Sequence, residues 1–311
     1  MKKYLVGIFL SLSVSIGVYG QHEVAPSMTS QIFSRMNFNP AGMGNSDNIN
    51  VFSQTRLQWI GYGDGAPKST VLNASYFHEK WKSGFGITFT YDEIGYSNKA
   101  LIGKIAYAYN LDLNDHGLLS FGVSGGINQF AKDFSDDTYD AATGATLADS
   151  SKINPDFDFG IEYSTPHFLI GASVSHIGMM DDLNTYTPMQ SYYAYMRGSI
   201  NLNEMWQLSP SALYMNSGKS NVVDFGCVGF YNGLDVESLI VWGGLNFNFN
   251  FFTTAPQTAL MIGCEWKKLR IGYAYEMGFK IANYNTHELM LSFGIPTHSN
   301  SSAPSKKKKR R

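Results

Sequence analysis

In Gly84-Phe85-Gly86-Ile87-Thr88-Phe89-Thr90-Tyr91-Asp92, every second residue is large and apolar or aromatic, and every residue between is small, hydroxylated or acidic. A period of two is the signature of a strand, whose successive side chains point to opposite faces. The rhythm returns in Phe157, Phe159, Ile161 and Tyr163, which alternate with Asp156, Asp158, Gly160 and Glu162. It returns in Leu269, Ile271, Tyr273 and Tyr275, which alternate with Arg270, Gly272, Ala274 and Glu276. Leu119, Phe121 and Val123, then Leu289, Leu291, Phe293 and Ile295, behave likewise. No helical 3.6-residue period persists beyond the leader.

Followed along the chain, these runs predict fourteen strands, near 49–59, 67–77, 83–92, 98–110, 117–130, 155–163, 167–177, 189–201, 205–215, 221–231, 234–247, 257–265, 268–277 and 286–295. Most have the length a tilted strand needs to cross a bilayer, roughly ten residues. Short connections around 79–82, 112–116, 164–166, 202–204, 232–233 and 266–267 alternate with longer ones at 60–66, 131–154, 178–188, 248–256 and 278–285. Short turns on one rim and long loops on the other are the pattern of a transmembrane antiparallel barrel. An even strand number puts both termini on one rim, the periplasmic one for an exported chain.

Composition agrees. Charged residues are 15% of the 311, aromatics 14%, and glycine contributes 31. A soluble domain carries roughly 25% charged residues. With a mean hydropathy of −0.16, and no later run of 18 apolar residues, helical membrane spans are excluded. A soluble sandwich or propeller would need Lys- and Glu-rich polar faces. Here those faces hold Gly, Ser, Thr, Ala and isolated charges, which suits a narrow, partly filled lumen. Trp59, Tyr91, Tyr109, Tyr163, Tyr192 and Trp266 lie near strand ends, as interfacial girdles do. A bilayer offers no water to unpaired backbone groups, so only closure satisfies every strand.

Lys2 and Lys3 precede an apolar stretch from Leu5 to Val18, with small residues leading to Gly20-Gln21. This is the pattern of a cleaved secretory leader, too short for a span of about 20 residues. The expected organisation is therefore a signal peptide over 1–20, a periplasmic or plug segment over 21–48, a barrel over 49–295 and a tail over 296–311. The formal net charge is −2 although Lys306, Lys307, Lys308, Lys309, Arg310 and Arg311 close the chain, so the body is acidic. Nucleic acid is not an expected partner.

Gly122-Val123-Ser124-Gly125-Gly126 matches the nucleophile pattern G-x-S-x-G but lies within an alternating strand, where that chemistry has no strand-to-helix turn. Its glycines are expected to let the strand bend or a plug approach. The histidines lack metal spacing, so neither a catalytic nor a metal site is expected, and no cofactor. Asp133, Asp136, Asp137 and Asp140, then Asp181 and Asp182, lie in the two longest loops; a solvated acidic face is favoured over calcium. Cys227 and Cys264 fall on non-adjacent strands, beyond disulfide reach, and face lipid. The basic tail reads as solvated or as an electrostatic contact with an acidic partner or anionic lipid. Inward charges are expected at Arg56, Asp92, Lys104, Asp156, Asp158, Glu162, Arg197, Asp224, Arg270, Glu276 and Glu288. They either line an aqueous path or pair and hold the interior shut, and the small lumen favours pairing.

The segment Gln31-Ile32-Phe33-Ser34-Arg35-Met36-Asn37-Phe38-Asn39-Pro40-Ala41-Gly42 resembles the Q-x(5)-N-x-N-P-A-x-x-G opening of the PorP/SprF outer-membrane proteins of the type IX secretion system, found in Bacteroidota. Arg56-Leu57-Gln58-Trp59-Ile60-Gly61, Gly65-Ala66-Pro67-Lys68-Ser69-Thr70, Asp92-Glu93-Ile94-Gly95 and Leu119-Ser120-Phe121-Gly122 follow in the family's order. The usual aromatic after Asn-Pro-Ala is replaced by Gly42-Met43-Gly44, and the hexabasic tail is not a family feature. The resemblance implies a non-enzymatic outer-membrane component that assists secretion or surface anchoring of a cargo such as a gliding adhesin. It implies, as partners, membrane lipid, secreted cargo, and periplasmic-ring or peptidoglycan-associated subunits. Asn37, Asn39, Pro40, Ala41, Arg56, Gln58, Trp59, Gly61 and Pro67 are the motif positions. Asn39 and Pro40 are expected to set a turn, with Arg56 and Gln58 fixing the plug by hydrogen bonds. Loops 131–154 and 178–188 are the expected cargo surface. The rival is a FadL-like or porin-like transporter on the same fold.

Overall fold

The computed structural model describes residues 28–30, 33–43, 48–61, 63, 65–95, 97–113, 117–132, 149–178, 189–218, 220–251, 256–278 and 285–296. The leader 1–20, the loop aspartates Asp133, Asp136, Asp137, Asp140, Asp181 and Asp182, and the tail Lys306 to Arg311 lie outside them.

Fourteen strands form one closed antiparallel barrel. They are β1 (Asn48–Ile60), β2 (Lys68–His78), β3 (Ser83–Ile94), β4 (Asn98–Asp112) and β5 (Leu118–Lys132). Then come β6 (Ser150–Ser164), β7 (Phe168–Ile177) and β8 (Ser191–Gly198, resumed at Ile200–Asn201). The last six are β9 (Trp206–Ser217), β10 (Ser220–Tyr231), β11 (Leu239–Asn250), β12 (Pro256–Trp266), β13 (Leu269–Gly278) and β14 (Asn285–Pro296). Each pairs with its sequence neighbours, and β1 closes on β14 with Asn48 opposite Pro296. The ends of the barrel therefore share a rim.

The deciding stretch behaves as its alternation requires. On β3, Phe85, Ile87, Phe89 and Tyr91 are exposed, whereas Gly84, Thr88 and Asp92 are buried. In water such an inside-out distribution would be costly at roughly 25 cal/mol per Å² of apolar surface. Against lipid tails it is favourable, and closure leaves no unpaired edge. The same outward belt continues through Ile105, Val123, Phe159, Ile170, Phe225, Leu260, Ile271 and Leu291.

All fourteen expected strands are present, with two shifted limits. The sixth begins at Ser150 instead of 155, and the eleventh runs 239–250 instead of 234–247. Residues 232–238 form the turn, where Asn232 donates to the Met205 carbonyl at 3.0 Å. The strict alternation of loop lengths is corrected too. On the long-loop rim β3 and β4 are joined by residues 95–97 alone, and β9 and β10 by 218–219, with Gly95 (φ 68°) and Gly218 (φ 57°) supplying the left-handed turns. Two bulges break the ladder near that rim. One places Trp59 at φ 53° between β1 and β14; the other places His176 at φ 61° beside β6. Bulges at barrel rims re-aim side chains, and His176 points inward to Asp156.

Candidate functional site

Residues 28–30 and 33–43 lie inside the barrel, against the inward faces of its strands. Their local fold follows from Asn39-Pro40. The Asn39 Oδ1 accepts the Ala41 N–H at 2.9 Å and starts a single 3-10 turn over Pro40–Gly42, where proline has no N–H to lose. Asn39 Nδ2 donates to the Ile161 carbonyl at 3.1 Å and to the Tyr195 hydroxyl at 2.8 Å. The Tyr195 hydroxyl in turn donates to Glu162 Oε2 at 2.6 Å, and Arg35 Nε sits 2.6 Å from that same oxygen. One amide thus ties the turn to β6 and β8, while Ser173 of β7 donates to the Phe38 carbonyl at 2.6 Å.

The other end is held by acids. Arg56 of β1 meets Glu276 of β13 at 2.9 Å and Glu288 of β14 at 2.5 Å. These carboxylates also receive the segment: the Thr29 N–H donates to Glu288 at 2.7 Å, Thr29 Oγ1 to Glu276 at 2.9 Å, and the Ser30 N–H to Glu288 at 3.2 Å. Gln54 Nε2 adds a bond to Glu288 at 2.7 Å. Arg56 is 4% exposed and Glu288 1%, so ions and segment are desolvated together. Removing one partner of such a set strands the others.

Three glycines make room for the segment. A Cβ on Gly122 would strike the backbone of Pro40 and Ala41, one on Gly160 the Asn39 side chain, and one on Gly86 the Met43 sulfur. Apolar packing completes the seat. Phe38 stacks on Tyr193 at 5.0 Å and meets Tyr195 edge-on at 5.2 Å; Phe33 leans on Trp242 at 4.7 Å. Such pairs contribute about 0.5–1.5 kcal/mol each beyond area burial. Met43, standing where the family's aromatic is expected, packs on Ala106 and Ala108.

Several of the inward charges pair. Besides the clasp on Arg56, Lys104 lies 2.8 Å from Asp156 and 2.7 Å from Asp158, and Arg270 lies 2.6 Å from Glu265. Asp224 accepts from Asn248 at 2.7 Å. Two cavities between the segment and the wall measure about 50 Å³ and 10 Å³, the smaller about the size of one water.

The motif positions separate into three groups. Asn37, Asn39, Pro40, Ala41 and Arg56 meet at the segment; Asn37 accepts from Ser34 at 2.9 Å and also from Asn73. Trp59, Gly61 and Pro67 instead shape the connection from β1 to β2, with Gly61 at φ 98°. Gln58 is a correction. Its backbone N–H donates to the Pro67 carbonyl at 2.9 Å, and the hydrogen bond expected from its side chain comes from Gln54. Gln54 lies two residues before Arg56 on the same face, so alternation alone pointed to it. Thr29, Ser30, Phe33, Arg35, Phe38, Asn73 and Tyr195 were not foreseen, because their partners lie far away in sequence. In the G-x-S-x-G stretch, Gly122 is the point of close approach, and Ser124 donates to Asp158 at 2.5 Å.

A family profile described as type IX secretion system membrane protein PorP/SprF matches residues 21–293. No curated protein matches the chain. Among solved structures, the CymD monoaromatic hydrocarbon channel is similar with a TM-score of 0.55 and 13% identity, covering 85% of this chain and 92% of its own. The Ralstonia pickettii toluene transporter TbuX gives 0.51 and 12%, covering 85% and 93%. A TodX monoaromatic hydrocarbon channel mutant gives 0.51 and 11%, covering 89% and 96%. At such identities the likeness is one of fold, the FadL-like barrel.

Proposed function

The chain belongs to the PorP/SprF family of type IX secretion system membrane proteins, and from that premise we propose that it works in the outer membrane as a sealed, non-enzymatic barrel assisting secretion or surface anchoring of a dedicated cargo, such as a gliding adhesin. The observation that carries the reading is the lumen occupied by the chain's own residues 28–30 and 33–43, tied to Glu276 and Glu288 at one end and to Glu162 at the other. A filled lumen leaves rims and loops, not a passage, for contact with partners. In this reading the plug comprises 21–48 and both termini face the periplasm. The short-turn rim and the basic tail 306–311 then meet the periplasmic-ring or peptidoglycan-associated subunits. The long loops around 133–149 and 178–188, with Asp133, Asp136, Asp137, Asp181 and Asp182, present the cargo surface.

Deleting the gene and profiling the culture supernatant tests the secretion role. Loss of a defined set of secreted or surface proteins is expected; an unchanged profile removes it. Exchanging both long loops for those of a paralogue is expected to redirect cargo choice, and unchanged choice would refute the loop assignment. Deleting 21–48 is expected to raise single-channel conductance, whereas a variant no leakier than the intact barrel ends the plug reading. The rival, an uptake channel, rests on the shared fold alone; it requires solute flux through the intact barrel in liposomes.

A further inference from the structure

On the long-loop side of the seated segment, two inward aspartates of β6 meet a lysine of β4 and a histidine of β7. Asp156 and Asp158 stand two residues apart on β6, and the Lys104 ammonium from β4 bridges them at 2.8 and 2.7 Å. The bulge in β7 swings His176 inward, so that its Nδ1 lies 2.8 Å from Asp156 and its backbone N–H donates to Asp158 at 3.0 Å. Ligand atoms of Asp156, Asp158 and His176 fall within 4.8 Å of one another, close enough for a single ion to touch all three.

A second observation lies next to the first. Asn128 of β5 is 0% exposed, and neither its side-chain oxygen nor its nitrogen has a partner; Asp92 of β3 is 3% exposed and its Oδ1 has none. Both acceptors flank the strand that carries Lys104. Asn128 stands opposite Ile102, two residues from Lys104 on the same inward face and within reach of a lysine side chain, whereas Asp92 stands opposite Ala100, four residues away and beyond that reach. Buried polar groups are normally satisfied, so the vacant side-chain amide of Asn128 near the Lys104 ammonium calls for an explanation. A lysine has three donors on a flexible four-carbon stem and so can serve either the aspartates or Asn128.

We propose that Asp156, Asp158 and His176 form a site for a divalent metal ion of the zinc or manganese class, and that Lys104 alternates between the two aspartates and Asn128. Without metal its ammonium bridges Asp156 and Asp158. With metal it turns to the side-chain oxygen of Asn128, and the ion takes its place. The donor set selects the class: an imidazole beside two carboxylates suits zinc or manganese, whereas calcium takes oxygen ligands only. The exchange trades one positive charge for two, so that the ion alone neutralises both aspartates. The site ties β6 to β7 at the base of the long loops, and it holds whether or not the barrel serves secretion.

The test is Mn²⁺ titration of the full-length barrel in detergent, followed by electron paramagnetic resonance, with Zn²⁺ competing. One saturable site per chain is expected. Lys104→Met, which removes the competing ammonium, is expected to bind at least tenfold tighter, and His176→Gln or Asp156→Asn at least tenfold weaker. Asn128→Ala is expected to weaken binding in the wild type but not alongside Lys104→Met, because only an exchanging lysine needs the second landing place. Absence of saturable binding in both wild type and Lys104→Met overturns the proposal. So does binding indifferent to His176→Gln, which would be an adventitious ion only. Should His176→Gln fail to show heat-modifiable migration, electron spin-echo modulation of the Lys104→Met complex decides: an imidazole nitrogen coupling supports the site and its absence removes it.

Discussion

The Asn39 side-chain oxygen occupies the space that a Cβ on Gly160 would need. Asn39 comes before the first strand and Gly160 lies in the sixth, so the contact joins the segment to the wall across more than a hundred residues. It also fixes what the wall tolerates.

Alanine at Gly160 or valine at Gly122 should unseat the turn. Overpacking of this kind costs about 1–3 kcal/mol. Urea unfolding of the barrel in micelles should show a lowered midpoint for both. Gly103→Ala, at an outward glycine whose Cβ would only touch Phe89 at 3.4 Å, should leave the midpoint unchanged. Equal effects at all three positions would mean that the wall, not the seat, is sensitive.

Arg56→Met should be among the most damaging single changes. It leaves Glu276 and Glu288 buried with Thr29, Ser30 and Gln54 as their remaining donors. Breaking a buried ion set by removing one member costs about 3–5 kcal/mol. Limited proteolysis should find the segment exposed in this variant. A segment that stays protected would show that the Asn39 end suffices to hold it.

At Asn39, aspartate should be worse than alanine. Alanine forfeits hydrogen bonds and leaves buried acceptors unmet, at about 1–3 kcal/mol. Aspartate keeps the acceptor for the Ala41 N–H but loses the donor and sets a carboxylate against the Tyr195–Glu162 pair. Comparing the unfolding midpoints checks the order, and a milder effect for aspartate would contradict the assigned direction of the hydrogen bonds.

Cys227 and Cys264 are free thiols on outward positions of β10 and β12. In liposomes they should react with an uncharged, membrane-permeant maleimide and resist a sulfonated one. Rapid labelling by the charged reagent would place that part of the wall in water.

Much of the architecture was legible because a strand's period of two is a local property. Phe85, Ile87, Phe89 and Tyr91 declare an apolar face without reference to any other residue, and fourteen such runs of bilayer-crossing length leave few folds open. Inward charges at Arg56, Glu276 and Glu288 could be read for the same reason. Their pairing could not, since β1 and β14 become neighbours only when the barrel closes. Gln58 shows the limit from the other side: it shares Arg56's parity, yet the bulge at Trp59 ends the regular ladder at Leu57, and Gln54 makes the bond instead. The loop lengths around 95–97 and 218–219 were misjudged because a single left-handed glycine can close a turn that composition does not announce.

By itself the sequence determined the barrel: strand number, lipid-facing side, common rim for both ends, and the turn at Asn39-Pro40. Those follow from alternation and local backbone chemistry, which act within a few residues. Only the tertiary structure decided how residues 28–30 and 33–43 fill the lumen and which glycines receive them. It alone also brought His176 to the aspartates of β6. Contacts of that kind depend on closure of the whole ring, and no local pattern encodes the distance across it.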